Sequence, residues 1–147
     1  MLTERFKMKE ISPNGYKAVL ALENYICNSN IKPVFREMIK IRASQINGCA
    51  YCIDMHTKDV RELGESERRI YALSAWRESP LFSNQERALL AATEEITNIS
   101  IKGLSEGTYC NLTKYFDEQA IADIILINVT INSWNRIAVS LHSIFEE

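Results

Sequence analysis

The sequence lacks any apolar run long enough to be read as a membrane span. Its longest apolar stretch is broken by Asp123, Asn128 and Asn132, well short of the roughly 20 apolar residues that a helical span needs. No membrane is expected as a partner. An excess of basic charge is missing too. The formal net charge is −2, whereas a nucleic-acid surface needs clustered Lys and Arg, so nucleic acid is not expected either. Met1 to Glu10 is charged and holds no apolar run, which speaks against a secretory signal peptide. Cysteine is sparse. Cys27, Cys49, Cys52 and Cys110 do not form the framework of a small secreted domain, and one close pair among them suits a cytoplasmic protein better. Repeats and low-complexity linkers are absent. The 147 residues suffice for one domain with a real core, read here as residues 1–147 with a motif region at 33–63.

What the chain does have is repeated helical patterning, and it implies an all-α fold. Residues 1–12 read as an irregular arm. Ser12-Pro13 opens a helix over roughly Asn14 to Asn28, where Tyr16, Val19, Leu20, Glu23 and Ile26 make a mixed amphipathic pattern and Cys27 reads as a core or interface residue. Pro33 suits the first turn of a helix through Ile46. Asn47-Gly48 is a turn, after which a helix from about Cys49 to Leu63 is expected. Further helices are read over Glu67 to Trp76, from a Ser83–Glu86 capping box to about Asn98, and from Ser105 through Lys114. Asp117 caps a last, long helix from Glu118 to about Phe145. Its β-branched content would allow a strand, but Asn128, Asn132, Asn135 and Arg136 recur at helical spacing. They draw one polar stripe on an apolar cylinder, able to line a pocket or an interface. A helix apolar over so much of its circumference favours burial between subunits. His142 reads as structural.

The chemistry concentrates in Arg36 to His56. Cys49 and Cys52 form a C-x-x-C pair, and His56 follows the second cysteine by four residues. On one helix, steps of three and four put both thiols and the imidazole on one face. A helix start favours a thiolate, His56 is placed to take a proton from Cys52, and the pair can close a disulfide. Rival readings of C-x-x-C fare less well. Structural zinc needs four ligands, but Cys49, Cys52 and His56 supply three. The remaining candidates of these types, Cys27, Cys110 and His142, form no second close pair. Covalent haem needs a histidine directly after the second cysteine, where Ile53 stands. A thioredoxin fold needs a βαβ pattern, and no convincing strand is nearby. The plainest alternative is two buried cysteines packing as small hydrophobes; the histidine on the same face argues against it. Glu37 borders the apolar face of the Pro33 helix, with Arg36 and Lys40 on its more polar side. A carboxylate drawn toward an apolar region can relay protons. The competing reading is a surface glutamate paired with a lysine, and spacing alone favours it.

The run E-M-I-K-I-R-A-S-Q-I-N-G-C-A-Y-C-I-D-M-H resembles the active-site motif of the AhpD-like alkylhydroperoxidases of the carboxymuconolactone decarboxylase superfamily. Glu37, Cys49, Cys52 and His56 match it position by position. The segments Y-A-L-S-A-W-R-E-S-P-L-F and I-N-S-W-N-R-I-A-V are also similar, so the likeness runs from about Pro33 to about Val139. Tyr51 stands where some members have a histidine just before the second cysteine. The resemblance implies an AhpD-like bundle of about six to seven helices, an obligate homo-oligomer assembled as trimers or hexamers. It also implies a thiol peroxidase without cofactor or metal. Cys52 attacks the hydroperoxide and becomes a sulfenic acid, and Cys49 condenses with it to a disulfide. His56, aided by Glu37, removes the Cys52 proton, and an external dithiol of lipoamide type restores the pair. Helix-start physics points the other way, making Cys49 the more exposed and more dipole-stabilised thiol. Two other functions remain open: a redox-sensing or adaptor module of the same fold, and an acid–base enzyme like the carboxymuconolactone decarboxylases. The latter work without a C-x-x-C, so the Cys49–Cys52 pair argues against that reading.

Overall fold

In a computed structural model describing residues 2–145, helices α1 (Met8–Ile11), α2 (Pro13–Cys27), α3 (Pro33–Asn47) and α4 (Ala50–Glu62) are followed by α5 (Glu67–Ala72), α6 (Asn84–Thr97), α7 (Glu106–Leu112) and α8 (Glu118–Leu141). No strand occurs among the described residues.

The boundaries follow local chemistry. Pro13 and Pro33 open α2 and α3, where the missing N–H costs nothing. Ser66, Ser83, Ser105 and Asp117 each accept a backbone N–H at a helix start, and Ser83 with Glu86 completes the expected capping box. Three expectations are corrected. The arm is not wholly irregular: residues 8–11 make one helical turn, which stops at Ser12 because the residue before a proline is pushed out of the helical region. The helix expected from Glu67 to Trp76 ends at Ala72, and Leu73–Ala75 tighten into a 3-10 turn. The last helix stops at Leu141, short of Phe145. There His142 turns left-handed at φ 53°, and the Arg5 N–H takes the Leu141 carbonyl at 2.9 Å.

Helix α3 is the centre. It packs against α4, α6 and α8, and Phe35, Met38, Ile39, Ile41 and Ala43 are buried in the main core with Leu89, Leu90, Ile124, Ile127 and Ile131. Each such side chain contributes about 1.5–3 kcal/mol over the exposed state. A smaller cluster of Ala88, Ala92, Leu112 and Ile121 closes the α6–α7 end. Among the described residues, α8 alone qualifies by length and composition as a membrane span, contrary to the sequence reading. Its contacts with α2, α3 and α6 identify it as a core helix.

The amide stripe of α8 is largely turned inward, with Asn128 and Asn135 at 0% and 1% exposure. It faces α3. Asn47 Nδ2 donates to Asn132 Oδ1 at 2.9 Å and to Asn135 Oδ1 at 3.0 Å, and Asn135 Nδ2 donates to Ser44 Oγ at 2.9 Å. Only Arg136 turns to solvent, bonded back to Asn132. The outward side of α8 carries Ile125, Val129 and Val139 at 37%, 43% and 44% exposure, leaving an apolar strip uncovered.

Candidate active site

The α3–α4 corner builds the site. Gly48 ends α3 at φ 66°, a left-handed conformation that favours glycine. Cys49 follows directly and is the N-cap of α4, its N–H bonded to the Ser44 carbonyl at 2.9 Å. Its Sγ accepts the Cys52 N–H at 3.3 Å, so the sulfur itself caps the helix. Cys49 and Cys52 are joined as a disulfide, with Cα atoms 5.4 Å apart. His56 lies one turn further along, buried on the same helix.

Glu37 reaches this face from α3. Its Oε2 lies 2.8 Å from His56 Nδ1. That contact orients the ring and leaves Nε2 as the nitrogen for proton exchange. Both readings of Glu37 therefore hold in part: the carboxylate is drawn inward, and it also pairs with a lysine, its Oε1 lying 3.7 Å from Lys40 Nζ. The placing of Lys40 on the polar side of α3 is overturned, since it is 3% exposed. Its ammonium is neutralised by Glu23 of α2, with Nζ 2.5 Å from Glu23 Oε1. Trp134 Nε1 of α8 donates to the other Glu23 oxygen at 3.1 Å. Burial pushes the Glu23 carboxyl up, but the Lys40 charge and hydrogen bond and the Trp134 N–H outweigh it and hold it below the usual range. Asp59 Oδ2 sits 3.7 Å from His56 Nδ1. Its carboxyl is raised by burial and by the Glu37 charge, against the pull of His56 and Lys40.

A cavity of about 240 Å³ opens against this cluster. Cys52 and His56 line it, with Tyr16, Leu20, Tyr51 and Trp134 among its other walls. Tyr16, Tyr51 and Trp134 also border a wider space of about 400 Å³, framed by the arm and the end of α8. Cys49 is not a wall of the cavity and is 1% exposed. The expectation that it is the more exposed thiol is thus corrected: the N-cap position tucks it into the corner, while the next turn carries Cys52 to the cavity.

Glu37, Cys49, Cys52 and His56 are brought together as the sequence suggested; Glu23, Lys40 and Trp134 were missed. Glu23 had a signal, being an acid spaced three and seven residues from Leu20 and Tyr16 on an apolar face. Cys27, read as core or interface, is exposed and is not core, though its Sγ donates to Glu23 Oε1 at 3.7 Å. Cys110 is exposed, and His142 is the left-handed cap of α8 rather than a site residue. Glu37, His56 and Asp59 hold ligand-type atoms within 4.8 Å of one another. Glu37 already bonds His56 and faces the Lys40 ammonium, which disfavours a second cation there.

Residues 13–95, which span α2 to most of α6 and include Glu23, Glu37, Lys40, Cys49, Cys52 and His56, match the carboxymuconolactone decarboxylase family. The chain belongs to that family. Within it the AhpD-like fold expected from the motif is the one found. An uncharacterized Bacillus subtilis protein, YdfG, is 44% identical over 140 residues, covering 95% of each chain. A protein of unknown function from Agrobacterium tumefaciens, put forward as the antioxidant defence protein AhpD, has 42% identity and a TM-score of 0.96 over 99% of both chains. The debrominase Bmp8 shares the fold, with a TM-score of 0.81 at 22% identity over 93% of this chain and 74% of its own. The AhpD-like bundle is thus used for more than one chemistry.

Proposed function

We propose that this AhpD-like protein is a thiol peroxidase that reduces organic hydroperoxides at Cys52 and is recycled by an external dithiol. One observation carries the reading: Cys52 and His56 share one cavity wall, with Glu37 behind the imidazole at 2.8 Å. In the reduced enzyme, His56 Nε2 takes the Cys52 proton while Nδ1–H is held by Glu37. The thiolate attacks one oxygen of the O–O bond. Cys52 becomes a sulfenic acid, and the alkoxide leaves as an alcohol with the proton from His56. The Cys49 thiol displaces water from the sulfenic acid to form the disulfide, and two thiols of a dithiol, of lipoamide type, reduce it again. The aliphatic and aromatic walls select an organic hydroperoxide over hydrogen peroxide, because only the former gains from burying apolar surface there.

The reading includes assembly and place. The uncovered strip of Ile125, Val129 and Val139 is apolar surface of the kind that marks a protein contact, which supports a homo-oligomer, trimeric or hexameric. A dithiol-driven cycle needs a reducing compartment, and the two free, exposed thiols Cys27 and Cys110 suit the cytoplasm. Neither membrane nor nucleic acid enters this function.

The test is hydroperoxide consumption with dihydrolipoamide, on wild type and Cys52→Ser. Turnover lost in the variant is the expected result. A single oxidation to the Cys49–Cys52 disulfide without cycling would replace the peroxidase with a redox-sensing module.

A further inference from the structure

Behind His56 lies a second layer of charge beyond Glu37, Cys49, Cys52 and His56. Lys40 is nearly inaccessible, and it stands between two carboxylates, Glu23 Oε1 at 2.5 Å and Glu37 Oε1 at 3.7 Å. Charges are rarely buried without function or full pairing. Here the pairing leaves one negative charge in excess while His56 is neutral. Protonation of His56 cancels that excess, so this layer governs how readily the imidazole takes a proton.

We propose that Lys40, held by Glu23, is a positioning residue that sets the basicity of the Glu37–His56 pair. The ammonium draws part of the Glu37 charge away from the imidazole. Without it, an uncompensated carboxylate would favour the imidazolium, the form that cannot receive the Cys52 proton. Glu23 limits this effect. Being the closer partner of Lys40, it keeps the ammonium from pairing fully with Glu37, so His56 retains its anchor. Lys40 and Glu23 therefore pull the imidazole in opposite directions. The other titratable groups around His56 are Asp59 and Tyr51 on α4 and Tyr16 on α2. From α8 the neighbour is the neutral indole of Trp134. None of these is substituted in the variants below.

The inference takes its catalytic meaning from the proposed role of His56, but its test reads the imidazole directly and needs no turnover. The chain has two histidines, so NMR titration of the disulfide form, in which neither site thiol titrates, resolves His56 once His142→Gln identifies the other signal. Lys40→Met is expected to raise the His56 midpoint by about one pH unit, and Glu23→Gln to lower it by a similar amount. The double variant removes opposite charges and should return it close to wild type, as should Lys40→Arg. Shifts in the same direction for the two single variants, or none in either, overturn the proposal. Should Lys40→Met fail to fold, Glu23→Gln decides alone: a lowered midpoint supports the proposal, and an unchanged or raised one overturns it. Opposite shifts in an enzyme without peroxidase turnover would count against the proposed function and leave this inference standing.

Discussion

Glu37→Gln changes one atom and should disable the proposed base. In the wild type, Oε2 meets His56 Nδ1 at 2.8 Å and Oε1 faces the Lys40 ammonium at 3.7 Å. A glutamine must give its single oxygen to one of these neighbours. The ammonium is the stronger donor, so the amide oxygen turns to Lys40 and the NH₂ turns to the ring. Nδ1 must then accept, the ring proton moves to Nε2, and the nitrogen facing the chemistry can no longer take a proton. Losing a general base costs about 10²–10⁴-fold in rate. The lower half of that range, about 10²–10³-fold or about 3–4 kcal/mol in transition-state free energy, is expected here, because a fraction of molecules keeps the working tautomer. The fold should hold, since Lys40 retains Glu23. The assay is kcat/KM for an organic hydroperoxide from pH 5 to 9, with thermal melting as the control for folding. A variant within about threefold of wild type at neutral pH, with an unaltered pH profile, refutes the tautomer argument.

Three further outcomes are expected. Ile127, fully buried in the α3–α8 core, should cost about 2–5 kcal/mol as Ile127→Ala in urea unfolding, and a loss under 1 kcal/mol would mean that the site collapses freely. The Glu94 carboxylate ties Arg42 of α3, the Trp76 N–H and Arg77 to α6. Burial pushes its carboxyl up, but Arg77, Trp76 and Arg42 hold it below its ordinary 4.5. Its contribution is therefore complete above that value and lost as pH falls below it. Glu94→Gln should melt lower at pH 7 and lose less than wild type on acidification below 4.5; parallel curves would contradict the sign. After one equivalent of peroxide, mass spectrometry should find sulfenic acid on Cys52 in Cys49→Ser and none on Cys49 in Cys52→Ser, and the reverse pattern would exchange the two roles.

The helices were legible because their ends are written in short-range chemistry. Pro13, Pro33, Ser83 and Asp117 act on the residues beside them, and period and capping mark them in one dimension. The motif was legible for the same reason, since Cys49, Cys52 and His56 share a single helix face. What escaped depends on distance in space. Lys40 looked polar because its partner, Glu23, lies 17 residues away on another helix. The amide stripe of α8 was visible as a stripe, but its partners Ser44 and Asn47 are 91 and 85 residues back in the chain. The exposure of the two thiols was misjudged because nearness to a helix start was taken as nearness to solvent, whereas the α3–α4 corner closes over Cys49.

That corner gives the disulfide a direction. In the proposed cycle a reducing thiol that enters the cavity reaches Cys52, which lines it, whereas Cys49 does not. The thiolate expelled by that attack is Cys49, and the Cys52 N–H already points at its sulfur from 3.3 Å. A leaving thiolate departs faster when its negative charge is stabilised, and the start of α4 supplies a hydrogen bond and the positive end of the helix dipole. Entry and exit are thus assigned to different sulfurs by one turn of helix. In the proposed cycle, reductive opening therefore starts at Cys52, with the mixed disulfide formed on the cavity side.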